Sequence, residues 1–211
     1  MLKRLFDIVA AGLGLIALSP YFLIVAIMVK LDSRGPIFYG GRRVGLGGKI
    51  FLMYKFRSMV TDAEKRGPAV TYGEDPRITR VGRLLRQARL DEFPQLWNVL
   101  RGQMSLVGPR PESVYYYERY TDEQKKIFQV KPGMTGITQI RFRHEEEMLT
   151  NPATIDQDYL EKVLPPKVEL DLWYIRNQSF WLDIKLIFET LWVVVLRDRF
   201  VKSTPPEVAN P

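Results

Sequence analysis

The feature that most constrains this fold is an uncharged stretch close to the N-terminus. Residues 8–29, IVAAGLGLIALSPYFLIVAIMV, form a run of 22 residues without a charged side chain. As one straight helix, a run of this length would cross the ~30 Å of hydrocarbon in a bilayer. A cleaved signal peptide is disfavoured, because the run exceeds a usual signal core and ends without a small-residue cleavage site. The sequence therefore predicts a membrane segment.

Ser19 and Pro20 interrupt this run near its middle. Proline removes one backbone hydrogen bond and clashes with the preceding turn, so a helix kinks or breaks there. The two arms are each too short to cross a bilayer alone, and Ser19 can bond a carbonyl that the kink frees. Basic residues flank the run on both sides, so the positive-inside bias selects no outer end. A re-entrant helix that returns to one face and a kinked spanning helix are equal alternatives at this point.

Composition narrows the chemistry of the chain. Its 211 residues leave room for one domain with a substantial core. Lys and Arg number 31 against 24 Asp and Glu, and the resulting charge of +7 favours an anionic partner such as nucleic acid, anionic lipid or a phosphorylated substrate. There is no cysteine and one histidine, His144, which excludes disulfides, thiol nucleophiles and Cys/His zinc sites. A metal would need oxygen ligands, as Mg²⁺ and Mn²⁺ prefer.

The rest of the chain predicts a mostly helical α+β fold. Residues 36–59 contain two apolar-aromatic runs around a Gly-rich link, which indicates a small β-hairpin. A surface loop at 61–78 precedes a helix that begins near Thr79, and a second helix is expected from about 93 to 101 with Pro94 in its first turn. Between 179 and 196, aromatic residues on one helical face with interspersed charges predict an amphipathic helix at a membrane interface or on the core.

Asp91 and Glu92 stand side by side just before Pro94. Acidic residues at a helix start often only cap free amides and oppose the helix dipole. Adjacent side chains point apart, however, so a cap gains little from the second acid, whereas a metal and a nucleophile or base would use both. The basic residues of this region also outnumber what two carboxylates need, which suggests a missing anion.

A rigidly presented arginine supplies a second signal. Pro109 and Pro111 fix the backbone on either side of Arg110, and a guanidinium held in this way suits capture of a phosphate. Alone, the motif is equally consistent with a plain rigid turn. Lys55, Arg86 and Lys131 are further candidate substrate-binding cations, although each by itself is most often a solvated charge. Together these residues indicate phosphoryl chemistry, in which a carboxylate attacks phosphorus while Mg²⁺ and arginines neutralise a diphosphate.

Four segments resemble the monotopic phosphoglycosyl transferases, also called bacterial sugar transferases. They are KFRSM at 55–59, LDEFPQLWNVLRGQMSLVGPRPE at 90–112, KPGMTGITQI at 131–140 and LDLWYIRNQSFWLDIKLIFETLW at 170–192. The resemblance covers nearly the whole chain. Members of this family are short enzymes with an N-terminal re-entrant membrane helix broken at a Ser-Pro, here Ser19-Pro20, so the resemblance favours the re-entrant form.

The resemblance implies transfer of a phospho-sugar from a UDP-sugar to a polyprenol phosphate, the bacterial undecaprenyl carrier, with release of UMP. It implies Mg²⁺ and a covalent aspartyl intermediate, with Asp91 as nucleophile and Glu92 as its partner, both of them metal ligands. The positions that match sites for substrate phosphates and nucleotide are Lys55, Arg86, Pro109, Arg110 and Pro111. The segments 140–147 and 147–167 depart from the family pattern, so the sugar cannot be read from them.

The expected organisation is a re-entrant membrane hairpin at 1–34, a catalytic domain at 35–200 and a flexible tail at 201–211. The expected location is the bacterial inner membrane, with the catalytic domain facing the cytoplasm. Membrane lipids are expected partners, nucleic acid is not, and a homo-oligomer is left open. A non-catalytic, membrane-tethered scaffold with a basic lipid-binding surface is the alternative function, in which Asp91 would only cap a helix.

Overall fold

The protein is described from a computed structural model, and the structure describes residues 1–67, 70–72, 75–143, 145–149, 151 and 153–193. The predicted tail at 201–211 and His144 lie outside the described residues. The helices are α1 Leu2–Ala17, α2 Ser19–Asp32, α3 Ala63–Arg66, α4 Arg80–Gln87, α5 Gln95–Leu100, α6 Val114–Tyr117, α7 Ile137–Arg141, α8 Glu145–Met148, α9 Ile155–Asp158, α10 Leu164–Asn177 and α11 Phe180–Trp192. The strands are β1 Phe38–Val44, β2 Ile50–Phe56, β3 Ser105–Val107, β4 Glu112–Ser113 and β5 Gly133–Thr135. The mostly helical α+β prediction is confirmed.

The N-terminal apolar segment bends by 60° between α1 and α2. In a continuous helix, residue 20 would donate its backbone N–H to the carbonyl of Ile16, and proline has no such donor. The Ser19 hydroxyl donates to that same carbonyl at 2.8 Å, so the side chain replaces the lost bond. Among the described residues no single helix is long and apolar enough to cross a bilayer, and α1 and α2 meet that criterion only as a bent pair.

Both ends of the bent pair are attached to the same globular body. Near the start of α1, the Lys3 ammonium lies 2.5 Å from a carboxylate oxygen of Asp183 in α11. At the end of α2, the guanidinium of Arg57 donates to the carbonyls of Val29 and Ser33 at 3.2 and 2.6 Å. Because Arg57 follows β2 directly, the two ends of the helix pair are held by one folded unit.

Two small sheets complete the body. Strands β1 and β2 form the predicted antiparallel hairpin, and β4 extends it on the β1 side. The link between the strands uses Gly47 and Gly48, whose φ angles of +65° and +76° favour glycine. Strands β3 and β5 form a separate parallel pair. This pair brings the 105–110 and 131–135 segments together, although they are far apart in sequence.

One face of the apolar segment is buried in the protein. Ala11 of α1 packs with Val99 of α5 and with Met104, all of them fully buried. Val25 and Val29 of α2 pack against Phe56 and Leu85. The opposite faces of these helices and one face of α11 remain exposed; the exposed large apolar residues there are Leu2, Leu5, Ile8, Val9, Leu13, Ile16, Leu23, Ile24, Ile27, Met28, Leu31, Trp181, Phe188, Leu191 and Trp192. We call these residues the apolar face.

The apolar face is far larger than the scattered apolar residues of an ordinary soluble surface. Helices α1 and α11 meet through the edge-to-face rings of Phe6 and Phe180, whose centroids are 5.6 Å apart. The predicted amphipathic helix near the C-terminus is confirmed as α11, with Trp181 79% exposed. Exposed apolar surfaces of this extent mark contact with a membrane or a partner protein.

Candidate active site

Asp91 and Glu92 lie on a single 3₁₀ turn, Leu90–Glu92, between α4 and α5. Arg89 precedes the turn with a φ of +52°, and it is the one non-glycine residue with positive φ among the described residues. Such a backbone conformation is uncommon outside glycine and concentrates at functional sites. The hydroxyl of Tyr21, directly after the Ser19-Pro20 break, donates to the Leu90 carbonyl at 3.1 Å. The carboxylate pair is thereby joined to the membrane segment.

Neither carboxylate serves as a helix cap. The 3₁₀ turn and α5 both lack a side-chain capping bond at their N-termini, and Pro94 occupies the N-cap position of α5. The capping interpretation of these acids is therefore wrong. The predicted helix at 93–101 is shorter in the structure, because the chain around Pro94 forms the turn before α5 begins.

Glu92 is held by two cations from different elements. Its Oε1 accepts from Lys55 Nζ of β2 at 2.6 Å and from an Arg110 guanidinium nitrogen at 2.9 Å. Burial acts to raise the pKa of Glu92, but the charges of Arg110, Lys55 and Arg89 outweigh it and hold that pKa well below its usual range. Burial in turn lowers the pKa of Lys55, against the attraction of Glu92. Glu92 is an ionised, fixed carboxylate.

Asp91 differs from its neighbour in having no hydrogen-bond or ion-pair partner among the described residues. It is only 4% exposed. Burial raises the pKa of the Asp91 carboxyl, the charge of Lys55 opposes this rise, and Glu92 adds to it. A carboxylate that is poorly solvated and not held by donors keeps its lone pairs available for attack on an electrophile.

Four cations surround the two acids. Besides Lys55 and Arg110, the side chains of Arg86 and Arg89 lie close enough for their charges to lower the pKa of Asp91. Glu145 of α8 adds a negative charge near Arg110, but it pairs with Lys167 at 2.6 Å. Around the two acids the described cations outnumber the carboxylates, although Arg86 also has an interaction partner of its own, and this arrangement favours an anionic ligand.

Residues 108–111, which we call the Arg110 loop, are held by backbone hydrogen bonds to β5. Gly108 N donates to the Thr135 carbonyl at 2.9 Å, and Gly133 N donates to the Pro109 carbonyl at 2.8 Å. A side chain on Gly133 would place its Cβ 2.1 Å from Gly108 N, so only glycine fits this approach. Pro109 and Pro111 thus stiffen a loop that the KPG segment also supports from the other side.

Of the predicted substrate-binding residues, the structure gathers Lys55, Arg86, Pro109, Arg110 and Pro111 around the two acids or in the loop that carries Arg110. Lys131 is not among them. Its ammonium lies beside Arg4 and Gly102, at the end of α5. The backbone of Lys131, and not its ammonium, lies against the Arg110 loop. A Cβ built on Gly108 would stand 2.6 Å from the Lys131 carbonyl oxygen.

Sequence reasoning missed several neighbours of the acids. Arg89 is not among the residues that the sequence predicts for the site, yet its guanidinium donates to the Arg143 carbonyl at 2.5 Å. Glu145, Lys167 and Tyr21 had no motif to mark them. Their approach depends on contacts between distant segments, which a local pattern does not show.

Metal binding must be judged from the donors present. Within the described part of the chain there is no group of three acidic, histidine or cysteine residues that would hold a metal. Asp91 offers a free carboxylate, and Glu92 offers the oxygen that does not face Lys55 and Arg110. Mg²⁺ is commonly bound by one or two carboxylates with the remaining ligands from phosphate and water, so this donor set fits Mg²⁺ when a phosphorylated substrate is present.

Comparisons with known proteins identify similar sequences. The chain is 41% identical over 212 residues to the UDP-galactose-lipid carrier transferase of Erwinia amylovora, covering 93% of this chain and 41% of that protein. It is 43% identical over 196 residues to the undecaprenyl-phosphate glucose phosphotransferase of Komagataeibacter xylinus, covering 90% and 35%. It is 39% identical over 198 residues to the uncharacterized sugar transferase EpsL of Bacillus subtilis, covering 94% and 89%.

The chain is also 41% identical over 212 residues to an undecaprenyl-phosphate galactose phosphotransferase of Salmonella typhimurium. It spans about two fifths of the length of the Erwinia and Salmonella proteins. The model of one family, described as bacterial sugar transferase, matches residues 1–197. This match includes the turn with Asp91 and Glu92, the Arg110 loop and the bent helix pair. The chain belongs to the bacterial sugar transferase family.

Proposed function

We propose that this protein transfers a sugar-1-phosphate from a UDP-sugar to a polyprenol phosphate, undecaprenyl phosphate, and releases UMP. Relatives named as galactose and glucose phosphotransferases act on undecaprenyl phosphate, and the chain shares their family. The observation that carries the proposal is the contrast between the two acids. Glu92 is clamped by Lys55 and Arg110, whereas Asp91 is buried, adjacent and without a partner in the described structure.

The reaction proceeds in two displacements at one phosphorus. A carboxylate oxygen of Asp91 attacks the phosphorus that bears the sugar, the bond from that phosphorus to the bridging diphosphate oxygen breaks, and UMP leaves with the electron pair. A phosphate oxygen of the polyprenol phosphate then attacks the same phosphorus. This second step expels the Asp91 carboxylate and yields a polyprenol diphosphate sugar.

The cations stabilise the charge that develops during these steps. Lys55 and Arg110 already contact Glu92 and can turn their remaining N–H donors towards the diphosphate, while Arg86 and Arg89 lie on the Asp91 side. Mg²⁺, held by Asp91 and Glu92, would neutralise phosphate charge when bound. We expect chelation of divalent metal to abolish UMP release and added Mg²⁺ to restore it.

Substitution of the nucleophile tests the proposal directly. Asp91→Asn keeps the shape of the side chain but removes the attacking charge, so we expect UMP release to fall at least ~10³-fold. Asp122→Asn, at a fully exposed carboxylate of the same type, is the matched control and should be unchanged. With radiolabelled UDP-sugar and no polyprenol phosphate, the native protein should acquire covalent label that the Asp91 variant lacks. Full turnover by Asp91→Asn would refute Asp91 as the nucleophile, whereas no UMP release by the native protein with any UDP-sugar would favour the non-catalytic scaffold.

We further propose that the bent pair is re-entrant and that the catalytic body faces the cytoplasm of the bacterial inner membrane. Support comes from the attachment of both ends to one body, through Lys3 at the start and Arg57 at the end. The exposed side of the pair and the aromatic side of α11 provide the apolar face that lipid would cover. Catalysis at this surface joins a soluble nucleotide sugar to a lipid phosphate.

Cysteine labelling tests this topology, because the chain has no cysteine of its own. Leu2→Cys and Arg34→Cys place single thiols at the two ends of the pair, and Lys125→Cys marks the catalytic body. In intact cells all three should be protected from a membrane-impermeant reagent and become reactive after lysis. Labelling of position 2 alone in intact cells would show a spanning helix.

A further inference from the structure

Two cations converge at the end of α5, away from Asp91. Gly102 ends this helix with a φ of +78°, and a Cβ built there would lie 3.2 Å from a guanidinium nitrogen of Arg4 and 3.6 Å from Lys131 Nζ. The guanidinium of Arg4 donates to the carbonyls of Val99 and Leu100 at 2.6 and 2.9 Å. These acceptors are neutral, so they fix the position of Arg4 without cancelling its charge.

Lys131 has no hydrogen bond and no ion pair among the described residues. Burial lowers the pKa of Lys131, and the charge of Arg4 lowers it further, with Asp7 opposing both. The two oxygens of Asp7 also accept from the Ser105 hydroxyl and the Leu106 N–H at 2.9 and 3.0 Å, and its single negative charge can offset only one of the two cations. The two cations together therefore keep one positive charge in excess, which an anionic ligand would balance.

The surroundings of this cation pair identify the source of the anion. Arg4 is flanked in α1 by Leu2 and Leu5, both more than 60% exposed and both part of the apolar face. On α5, Trp97 is half exposed beside Arg101, whose guanidinium carbon lies 5.9 Å from the ring centroid. An apolar surface edged by tryptophan and basic residues is typical of the headgroup level of a bilayer.

We propose that Arg4 and Lys131 bind the phosphate of a phospholipid headgroup and thereby fix the start of α1 at the membrane surface. This site is separate from the active site, since neither cation is among the groups that act on Asp91 or Glu92. It requires no nucleotide, sugar or polyprenol. The site also gives a role to Lys131, which the sequence predicted to bind substrate but which lies beside Arg4 in the structure.

Thermal unfolding of the purified full chain in an uncharged detergent, without UDP-sugar, tests this site. Phosphatidylglycerol should raise the Tm of the native protein by about 2–4 °C, as binding to the folded state alone does. Diacylglycerol, which lacks the phosphate, should not. Lys131→Met should abolish the shift, and Lys131→Arg should retain it. Lys126→Met, which removes an exposed cation, is the control and should respond as the native protein does.

Arg4 is not the residue to replace, because its loss would also free the carbonyls at the end of α5. Lys131→Met removes a repulsion and no hydrogen bond, so we expect its Tm without lipid to match or exceed that of the native protein. An equal phosphatidylglycerol shift in Lys131→Met would overturn the proposal. An equal shift with inorganic phosphate alone would also overturn it, since the anion would not need a lipid. Both outcomes leave Asp91 chemistry untouched, because no substrate enters the measurement.

Discussion

At the scale of single side chains, Asp91 and Glu92 are chemically alike but differ in their partners. Glu92 accepts from Lys55 and Arg110, which come from a strand and from a proline-braced loop. Asp91 has no such donors among the described residues, and burial raises its pKa. The fold therefore divides two adjacent carboxylates into one that positions cations and one that is available to react.

Arg110→Lys tests how far the guanidinium matters beyond its charge. Lysine keeps the positive charge but cannot hold Glu92 and a phosphate with one planar group, so we expect KM for the UDP-sugar to rise ~10-fold. Steady-state UMP release measures this change. Arg176→Lys, an exposed arginine on α10, should leave KM as it is. An unaltered KM in Arg110→Lys would mean that the guanidinium does not contact the substrate.

Asp171 of α10 gives a pH-dependent expectation. Burial raises the pKa of this carboxyl from 3.8 to about 7, although the Thr138 hydroxyl donates to it at 3.0 Å. Between these two pKa values the folded state keeps a proton on Asp171 that the unfolded state releases. The contribution of this proton to the free energy of unfolding is therefore complete below pH ~4 and is lost as the pH rises through 7. We expect Asp171→Asn to be more stable than the native protein by ~2 kcal/mol at pH 8 and nearly equal at pH 4.

Denaturant unfolding at these two pH values measures the difference. Asp122→Asn, at an exposed carboxylate, serves as the control and should show no pH-dependent gain. A gain in Asp171→Asn that is the same at pH 4 and pH 8 would show that packing, and not ionisation, is responsible.

At the scale of elements, the bend between α1 and α2 connects the membrane segment to the chemistry. Proline removes the donor for the Ile16 carbonyl, and Ser19 supplies another in its place. The next residue, Tyr21, then reaches the turn that carries Asp91, through the Leu90 carbonyl. The break thus sets the direction of α2 and supports the turn that carries Asp91 and Glu92 at the same time.

Pro20→Ala should release this bend. Alanine restores the helical donor, and a continuous helix over residues 2–32 would be about 45 Å long, enough to cross a bilayer. We expect part of the protein to expose a cysteine at position 2 to external reagent, with lower UMP release in the same preparation. Pro165→Ala, at the start of α10, should leave both readings unchanged. Full protection of position 2 in Pro20→Ala would show that docking alone holds the bend.

At the scale of the whole molecule, the membrane segment is part of the folded body. Lys3 contacts Asp183, the Val107 carbonyl and the Tyr174 hydroxyl, while the Asp183 side chain is almost fully buried. This contact joins α1, β3, α10 and α11 at one point. Removing Lys3 would leave a buried carboxylate supported only by Tyr174.

Lys3→Met should therefore destabilise the protein by ~2 kcal/mol, because an unpaired buried charge is costly. The double variant Lys3→Met with Asp183→Asn should recover part of that loss, since both charges are then absent. Thermal unfolding in detergent measures both. Additive losses in the two single variants would indicate that Lys3 and Asp183 do not stabilise each other.

The sequence by itself determined the features that depend on neighbouring residues. Two apolar-aromatic runs around a Gly-rich link specified the hairpin, and the missing amide of Pro20 specified the break. Adjacent acids and a proline-flanked arginine marked the candidate reacting groups, and the resemblance to a family predicted that they share one site. These features are local, because helix breaks, turns and caps are set by torsions and hydrogen bonds within a few residues.

Only the tertiary structure decided which charges meet. It separated Arg57 from Lys55, although the two are only two positions apart in sequence, because the Arg57 guanidinium donates to the end of α2. The fold places the Lys131 ammonium beside Arg4. Glu92 has two cationic partners, Lys55 and Arg110, whereas Asp91 has none among the described residues. Charges interact according to their distance through space and their burial. The parallel pairing of β3 with β5 and the docking of α1, which brings Asp7 to Leu106 across 99 residues of chain, set both.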